Sequence, residues 1–236
     1  MAGVREMYDA VLRQAGILWA STPEEMLEWG AAFSSLPPLR GNRVAILTRG
    51  GGWGVITADA CNELGLEVPP LDGSILRSLD RLLPSYWSRG NPVDMVATIG
   101  TEPYMECLEL LISWDQVDGV ISLSGHAGPL AQIIPDVKKK ADTILPPEKL
   151  ENILQQVSAA RAQIYQRVCE LVRKYQKPIF AVGPNGEGGT GSEPPDFTLA
   201  QFRSPERAAR AAGVFYQYSH YRKAIGMEKR ENGILE

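Results

Sequence analysis

Four glycines fall within the five positions 50–54, directly behind the apolar run Val44-Ala45-Ile46-Leu47-Thr48 and ahead of a helix-compatible stretch from Val55 to Leu64. A short strand that ends in glycines and hands over to a helix opens a βαβ unit, because parallel strands need a crossover and a helix is the compact one. The same alternation continues down the chain. Leu66-Glu67-Val68 reads as a short strand closed by Pro69-Pro70, 74–83 as a helix ended by Pro84, and 102–113 as a helix after the loop Asn91-Pro92-Val93-Asp94. Asp118 to Leu123 is the next apolar strand, and helical spacing then runs over 130–141 and 148–175, parted by Pro146-Pro147. Pro178 to Val182 and Leu199 to Phe202 read as strands around a loop at 183–195, and Ser204 caps a helix from Pro205 to about Tyr221. Strands separated by helices predict an α/β fold, a doubly wound parallel sheet with helices on both faces.

The ends of the chain read differently. Tyr8, Val11, Leu12 and Ala15 recur at helical spacing, Gly16 stops that helix, and Ile17-Leu18-Trp19-Ala20 is strand-like. Ser21 or Thr22 then caps a second helix, with Pro23 early and Glu24 and Glu25 in its first turn, where they suit the helix dipole. Ser34-Ser35-Leu36-Pro37-Pro38 reads as a linker. A helix-strand-helix of this size cannot bury its own apolar faces, so residues 1–36 are expected to be the remnant of a preceding domain, 41–222 the α/β domain and 223–236 a tail.

Composition narrows the function classes. With 236 residues and 44% hydrophobic content the chain can bury a core without a metal or a disulfide. A net charge of −4 argues against a nucleic-acid or anionic-membrane partner. No run of about 18 apolar residues offers a transmembrane helix, and residues 1–13 lack the apolar core of a signal peptide. Cys61, Cys107 and Cys169 are odd in number, match no zinc spacing and suit a reducing cytoplasm. Two histidines, His126 and His220, exclude a multi-histidine metal centre, so no metal site is expected on this chain.

Three loops carry side chains with chemical use. In Thr48 to Asp59 the glycines let a ligand approach the backbone, and the helix behind them offers unpaired N–H groups and a positive dipole end to an anion. The plain alternative is a tight turn that needs positive φ. The absence of Gly-Lys-Ser/Thr excludes a nucleotide P-loop. In Trp87-Ser88-Arg89-Gly90-Asn91-Pro92-Val93-Asp94, Asn91 and Asp94 can hold the loop by side-chain-to-backbone bonds, while Arg89, like Arg49, offers a fork to a phosphate or carboxylate. In Ser124-Gly125-His126-Ala127-Gly128, behind a buried strand, His126 is open to nucleophilic, acid–base or ligand-orienting roles, and equally to being a plain loop residue. His220 reads as a packing group or a partner of its helix's C-terminal dipole. Gly186 to Gly191 matches the dinucleotide fingerprint formally but runs into Ser192-Glu193-Pro194-Pro195 instead of a helix, so that reading is rejected.

Taken together, Asn42 to Thr48 into Gly51-Gly52-Trp53-Gly54-Val55, then Ala58-Asp59, Leu64-Gly65-Leu66-Glu67, Leu83-Pro84 and Gly90-Asn91-Pro92-Val93-Asp94, resemble the NDP-forming acyl-CoA synthetase family, relatives of succinyl-CoA synthetase. Lys177-Pro178 and Phe202-Arg203-Ser204-Pro205-Glu206-Arg207-Ala208-Ala209 resemble the close of the same domain. Tyr8-Asp9-Ala10, Arg13 to Ile17 and Thr22 to Glu25 resemble the tail of the domain before it. The resemblance implies a flavodoxin-like, succinyl-CoA synthetase-like fold and the overall conversion of acyl-CoA, ADP and phosphate into acid, CoA and ATP through an acyl phosphate and a phosphohistidine. It implies that Gly51, Gly52, Trp53 and Gly54 cradle that phosphate, and that Arg49, Arg89, Asn91, Asp94, Gly125, His126 and Gly128 belong to substrate loops. Gly125-His126-Ala127-Gly128 copies the family's phosphohistidine tetrapeptide but at another place in the strand order, where a substrate loop is expected. By the same resemblance, the CoA-binding/phosphohistidine domain and the ATP-grasp domain are expected on other chains or in a longer parent of this stretch. The chain is therefore expected to be a cytoplasmic subunit or C-terminal part, inactive alone, with no tightly bound cofactor; CoA, ADP or ATP and Mg are expected in the full complex. The rival expectation is a non-catalytic anion-binding or interaction module that keeps the fold.

Overall fold

The computed structural model describes residues 5–96, 100–123, 163–182 and 200–226. Five strands form one sheet: β1 (Val44–Thr48), β2 (Val93–Asp94), β3 (Gly119–Ser122), β4 (Ile179–Val182) and β5 (Gln201–Phe202). All neighbours are parallel and the order is β2-β1-β3-β4-β5, the flavodoxin-like 2-1-3-4-5 arrangement. Every residue of β1 and β3 is buried. Strands covered on both faces show that continuous apolar character, which is why 44–48 reads as an unbroken hydrophobic run.

Helices α1 (Arg5–Gln14) and α2 (Pro23–Ser35) precede the sheet. Then come α3 (Gly51–Glu63), α4 (Gly73–Leu79), α5 (Thr101–Ser113), α6 over 163–175 and α7 (Pro205–Ala224). The long α7 packs along α3, β4 and α2 on one face, while α4 and α5 pack together on the other. Residues of α6 join α5 there through Arg167–Glu102 at 2.6 Å and Lys174–Glu109 at 2.7 Å. The expected doubly wound sheet is what the chain forms.

Four readings change in detail. The glycines at 51–54 are not a turn ahead of the helix; they are its first turn, because extended Gly50 already caps α3. Leu66 to Val68 shrinks to a single bridge, Glu67 with Arg43, since Pro69 and Pro70 have no N–H to extend a ladder. Leu199 to Phe202 shortens to the two residues of β5. Ile17 to Ala20 forms no strand and pairs with none among the described residues. The helical expectations over 130–141 and 148–162, the 183–195 loop and the end of the tail lie outside the described residues.

The N-terminal helices differ sharply in how they meet this core. Thr22 caps α2 by accepting from Glu25 N–H at 3.2 Å, and Glu25 Oε2 accepts from Ser21 N–H at 2.9 Å, a reciprocal cap. α2 buries Trp29 and Ala32 beside α7, and the stretch after it buries Leu36 and Leu39. Phe33 stacks on Phe215 of α7 with ring centroids 4.1 Å apart. Two ion pairs clamp the helices, Glu25 with Arg210 and Glu28 with Arg207, the latter at 2.7 Å.

The two glutamates titrate in opposite directions. Burial pushes the Glu25 carboxyl up, but the Ser21 N–H and the Arg210 guanidinium outweigh it and hold it below the usual range. For Glu28 burial prevails over Arg207, and its carboxyl is raised. Ionised Glu25 thus adds stability above the ordinary carboxylate range, and this is lost as pH falls through its lowered value; ionised Glu28 costs stability above its raised one. We expect Glu25→Gln to lower Tm at pH 7 by roughly 2 °C, with the gap to the parent chain closing between pH 5 and pH 3 in a calorimetric pH series.

Candidate functional site

In a sheet of this order, ligands bind outside the carboxyl ends of the strands where the winding reverses, here between β1 and β3. β1 delivers Thr48 to that edge. Its buried hydroxyl both accepts from Gly50 N–H (3.1 Å) and donates to Gly50 C=O (3.0 Å), folding the link from strand to helix into two residues. The threonine two places before a glycine run is the sequence signal for this turn.

None of Gly50, Gly51, Gly52 or Gly54 has positive φ, so the tight-turn explanation of the glycines does not hold. Their surroundings differ. Gly54 is buried, and a Cβ there would come within 3.0 Å of Pro92 and 3.1 Å of Thr48. A Cβ on Gly51 would lie 3.0 Å from Asp94 Oδ2. A Cβ on Gly52 would meet nothing within 4 Å. Trp53 and Gly54 both send their N–H to Gly50 C=O, at 3.1 and 3.4 Å. Gly51 and Gly52 are exposed, and their N–H groups donate to no described residue. Of the four residues expected to cradle an anion, the free donors are therefore on Gly51 and Gly52, at the positive end of a 13-residue helix.

Arg49 leaves the same edge and leans across it onto α5. One guanidinium nitrogen donates to Gly100 C=O at 2.7 Å, and the group lies 5.0 Å from the ring centre of Tyr104. Beneath it the Tyr104 hydroxyl and Ser122 Oγ share a buried hydrogen bond of 2.6 Å. Arg49 Nε is buried with no partner among the described residues. The arginine thus sits at the expected edge, already tied to the loop before α5.

Asp94 also reaches this edge. Its Oδ1 accepts from Val96 N–H at 2.9 Å, and its Oδ2 stands over Gly51, a carboxylate against the positive end of α3. Asn91 and Arg89 do not join the site. Asn91 Oδ1 accepts from Ile46 N–H at 3.0 Å, while its Nδ2 donates to Val44 C=O at 3.2 Å and Pro69 C=O at 3.1 Å. Its amide stands in for a strand beside β1, the structural one of its two expected roles. Arg89 precedes Asn91, on the amino-terminal side of β2, and pairs with Asp80, which also accepts from Trp87 Nε1 at 2.9 Å.

Gly125, His126 and Gly128 lie outside the described residues. The approach to their loop is fixed by Leu123 N–H donating to Leu47 C=O at 2.9 Å, one residue before Thr48. His220 stands beside Tyr216 on α7, ring centroids 6.2 Å apart. Burial pushes the Cys61 and Cys107 thiols up to about 12, with Glu106 adding to the effect at Cys107, which removes both as nucleophiles. Among the described residues no three of His, Cys, Asp and Glu converge on a metal-sized space, and no helix is long and apolar enough to cross a membrane.

The sheet order and the helix end at its switch point define a flavodoxin-like α/β domain with a backbone donor site. No family model matches the chain. It is 36% identical over 233 residues to the ADP-forming acetate–CoA ligase I subunit alpha of Pyrococcus furiosus, an alignment covering 97% of this chain and 44% of that one. Subunit alpha of the ligase II of the same organism is 39% identical over 123 residues, 52% of this chain and 27% of the relative. In structure it is similar to the dinucleotide-forming acetyl-coenzyme A synthetase 1 of Ca. Korarchaeum cryptofilum, with a TM-score of 0.66 at 20% identity over 97% of this chain and 44% of that one. The chain is a homologue of the ADP-forming acetate–CoA ligase subunits, and it spans less than half the length of these relatives.

Two consequences of this geometry can be measured. Asn91→Ala strips partners from the buried Ile46 N–H and Val44 C=O and should cost about 2–3 kcal/mol in urea unfolding. Gly54→Ala, which forces a methyl against Pro92 and Thr48, should destabilise by about 1–3 kcal/mol. Gly52→Ala, with open space around it, should leave stability unchanged or raise it by about 0.5–1 kcal/mol.

Proposed function

We propose that this chain serves an NDP-forming acyl-CoA synthetase, which converts acyl-CoA, ADP and phosphate into free acid, CoA and ATP, by presenting the N-terminus of α3 to the phosphoryl group in transit. The observation that carries this reading is Gly52. Its φ is not positive, no described atom crowds it, and its N–H and that of Gly51 have no acceptor among the described residues. The fold itself does not call for glycine there; a group that must come against the backbone does. The homology to ADP-forming ligase subunits supports the same reading.

The role is electrostatic. Two backbone donors and a helix dipole, fixed before the reaction begins, face a phosphoryl group carrying negative charge, and stabilisation of this kind is worth about 100-fold or more in rate. Asp94 flanks Gly51, so an incoming anion is directed to the open side at Gly52. Arg49 adds positive charge at the same edge. CoA, the nucleotide and its magnesium would be held by other domains, a CoA-binding/phosphohistidine domain and an ATP-grasp domain, in a cytoplasmic assembly. This chain alone would not turn over.

A replacement experiment tests the reading. This chain is substituted for the stretch it matches in the Pyrococcus furiosus ligase I subunit alpha, and ADP- and phosphate-dependent cleavage of acetyl-CoA is assayed in the assembled enzyme. We expect activity to survive the swap and to drop about 100-fold with Gly52→Asp, which places a carboxylate where the phosphoryl group should come. A replacement enzyme equally active with Gly52→Asp would sink the proposal.

A further inference from the structure

Arg49 carries a charge that the described chain does not answer. Arg43, Arg167 and Arg207, half-buried as it is, each pair with a carboxylate. Arg49 pairs with none among the described residues. Its Nη2 donates to the neutral Gly100 C=O at 2.7 Å, and the guanidinium lies 5.0 Å from the Tyr104 ring centre. Its Nε is shut away from solvent and meets no acceptor among the described residues. A buried donor left unmet destabilises the arrangement that contains it, and folded proteins carry few of them. A guanidinium also bonds an oxyanion about twice as strongly as it bonds a neutral carbonyl. In this position the side chain thus gives one donor to a neutral acceptor and leaves another without any. Arg49 stands directly before Gly50, the cap of α3, and two places before Gly51. It leaves the main chain at the entrance where the Gly51 and Gly52 N–H groups have no described acceptor either.

We infer that Arg49 is a mobile clamp, which exchanges Gly100 and Tyr104 for the oxygens of a phosphoryl dianion seated at Gly51 and Gly52. The exchange replaces a neutral acceptor by a charged one, brings Nε a partner, and sets a planar fork against two oxygens of one group. It also frees Gly100 C=O. Gly100 caps α5 with φ 129° and no side-chain cap bond, so Arg49 is a described hold on the start of that helix. Tyr104, the ring Arg49 leaves, shares its hydroxyl with Ser122 at the end of β3. Arrival of the anion at α3 is in this way felt at α5 and at the neighbouring strand. The inference rests on the reading that α3 receives a phosphoryl group, and it names the side chain that completes that site.

The probe is inorganic phosphate, titrated into this chain at constant ionic strength and about pH 8, above the second phosphate pKa. NMR follows the Gly51 and Gly52 amides, the Arg49 Nε–H and the Tyr104 ring protons. All should shift along one binding curve, and the Tyr104 protons should move toward the positions they hold in Arg49→Gln, where no guanidinium lies over the ring. Sodium chloride at the same ionic strength should move none of them. Arg49→Gln should weaken phosphate binding at Gly51 and Gly52 about tenfold, and Arg49→Lys, which keeps the charge without the fork, about threefold. A response at Gly51 and Gly52 with Arg49 and Tyr104 unmoved, or Arg49→Gln binding as tightly as the parent chain, overturns the clamp and leaves the functional reading standing. A response at Arg49 with Gly51 and Gly52 unmoved overturns both. Phosphate that moves none of these signals overturns the clamp, and the replacement enzyme with Gly52→Asp then decides the functional reading by itself.

Discussion

The carboxamide of Asn91 holds the outer side of β1 together. β1 is buried on both faces, so its backbone groups need partners, and the chain supplies too little strand on that side. Glu67 bonds at the amino end and β2 pairs only with Leu47 and Thr48. Between them one side chain accepts from Ile46 and donates to Val44 and Pro69, doing for three backbone groups what a neighbouring strand would do. This also fixes where β2 begins. With Asn91 anchored, Pro92 lies on Gly54 and Asp94 over Gly51, so the shape of the helix entrance follows from an amide placed well away from it.

That entrance balances two electrostatic demands. A helix N-terminus at a sheet edge draws negative charge, and the protein meets part of the demand itself with Asp94. It leaves the rest unmet, since the N–H groups of Gly51 and Gly52 point to no acceptor in the described chain. Arg49, which might have closed over them, is instead drawn to Gly100 and Tyr104. The result is an entrance with a negative shoulder at Asp94 and an open positive centre at Gly51 and Gly52.

How much of this the sequence discloses depends on the range of the interactions concerned. The strands at 44–48 and 119–122, the caps Thr22 and Ser204 and the helix over 101–113 are legible because periodicity and capping are local. The parallel order is legible from alternation alone. The start of α3 is not, because a glycine run looks the same whether it precedes a helix or forms its first turn, and here the choice lies in the hydroxyl of Thr48. Leu66 to Val68 stops at one bridge because Pro69 and Pro70 have no N–H to continue a ladder, and the place beside β1 goes to Asn91, far along the chain. At the site, the glycines announce close approach, but which of them is open depends on Pro92 and Asp94 coming across from β2. Arg89 looked like its counterpart Arg49 by residue type and loop position; only the direction of β2 places it at the other end of the strand.

The buried cysteines acquire a further meaning beside thioester chemistry. A thiolate exchanges readily with a thioester, taking the acyl group onto protein sulfur, and the rate follows the fraction of thiolate present. With Cys61 and Cys107 raised to about 12 and shut inside the core, almost no thiolate exists at neutral pH and none of it meets a ligand. Shut inside the core, these two sulfurs stay chemically silent toward any thioester that reaches the surface of the domain.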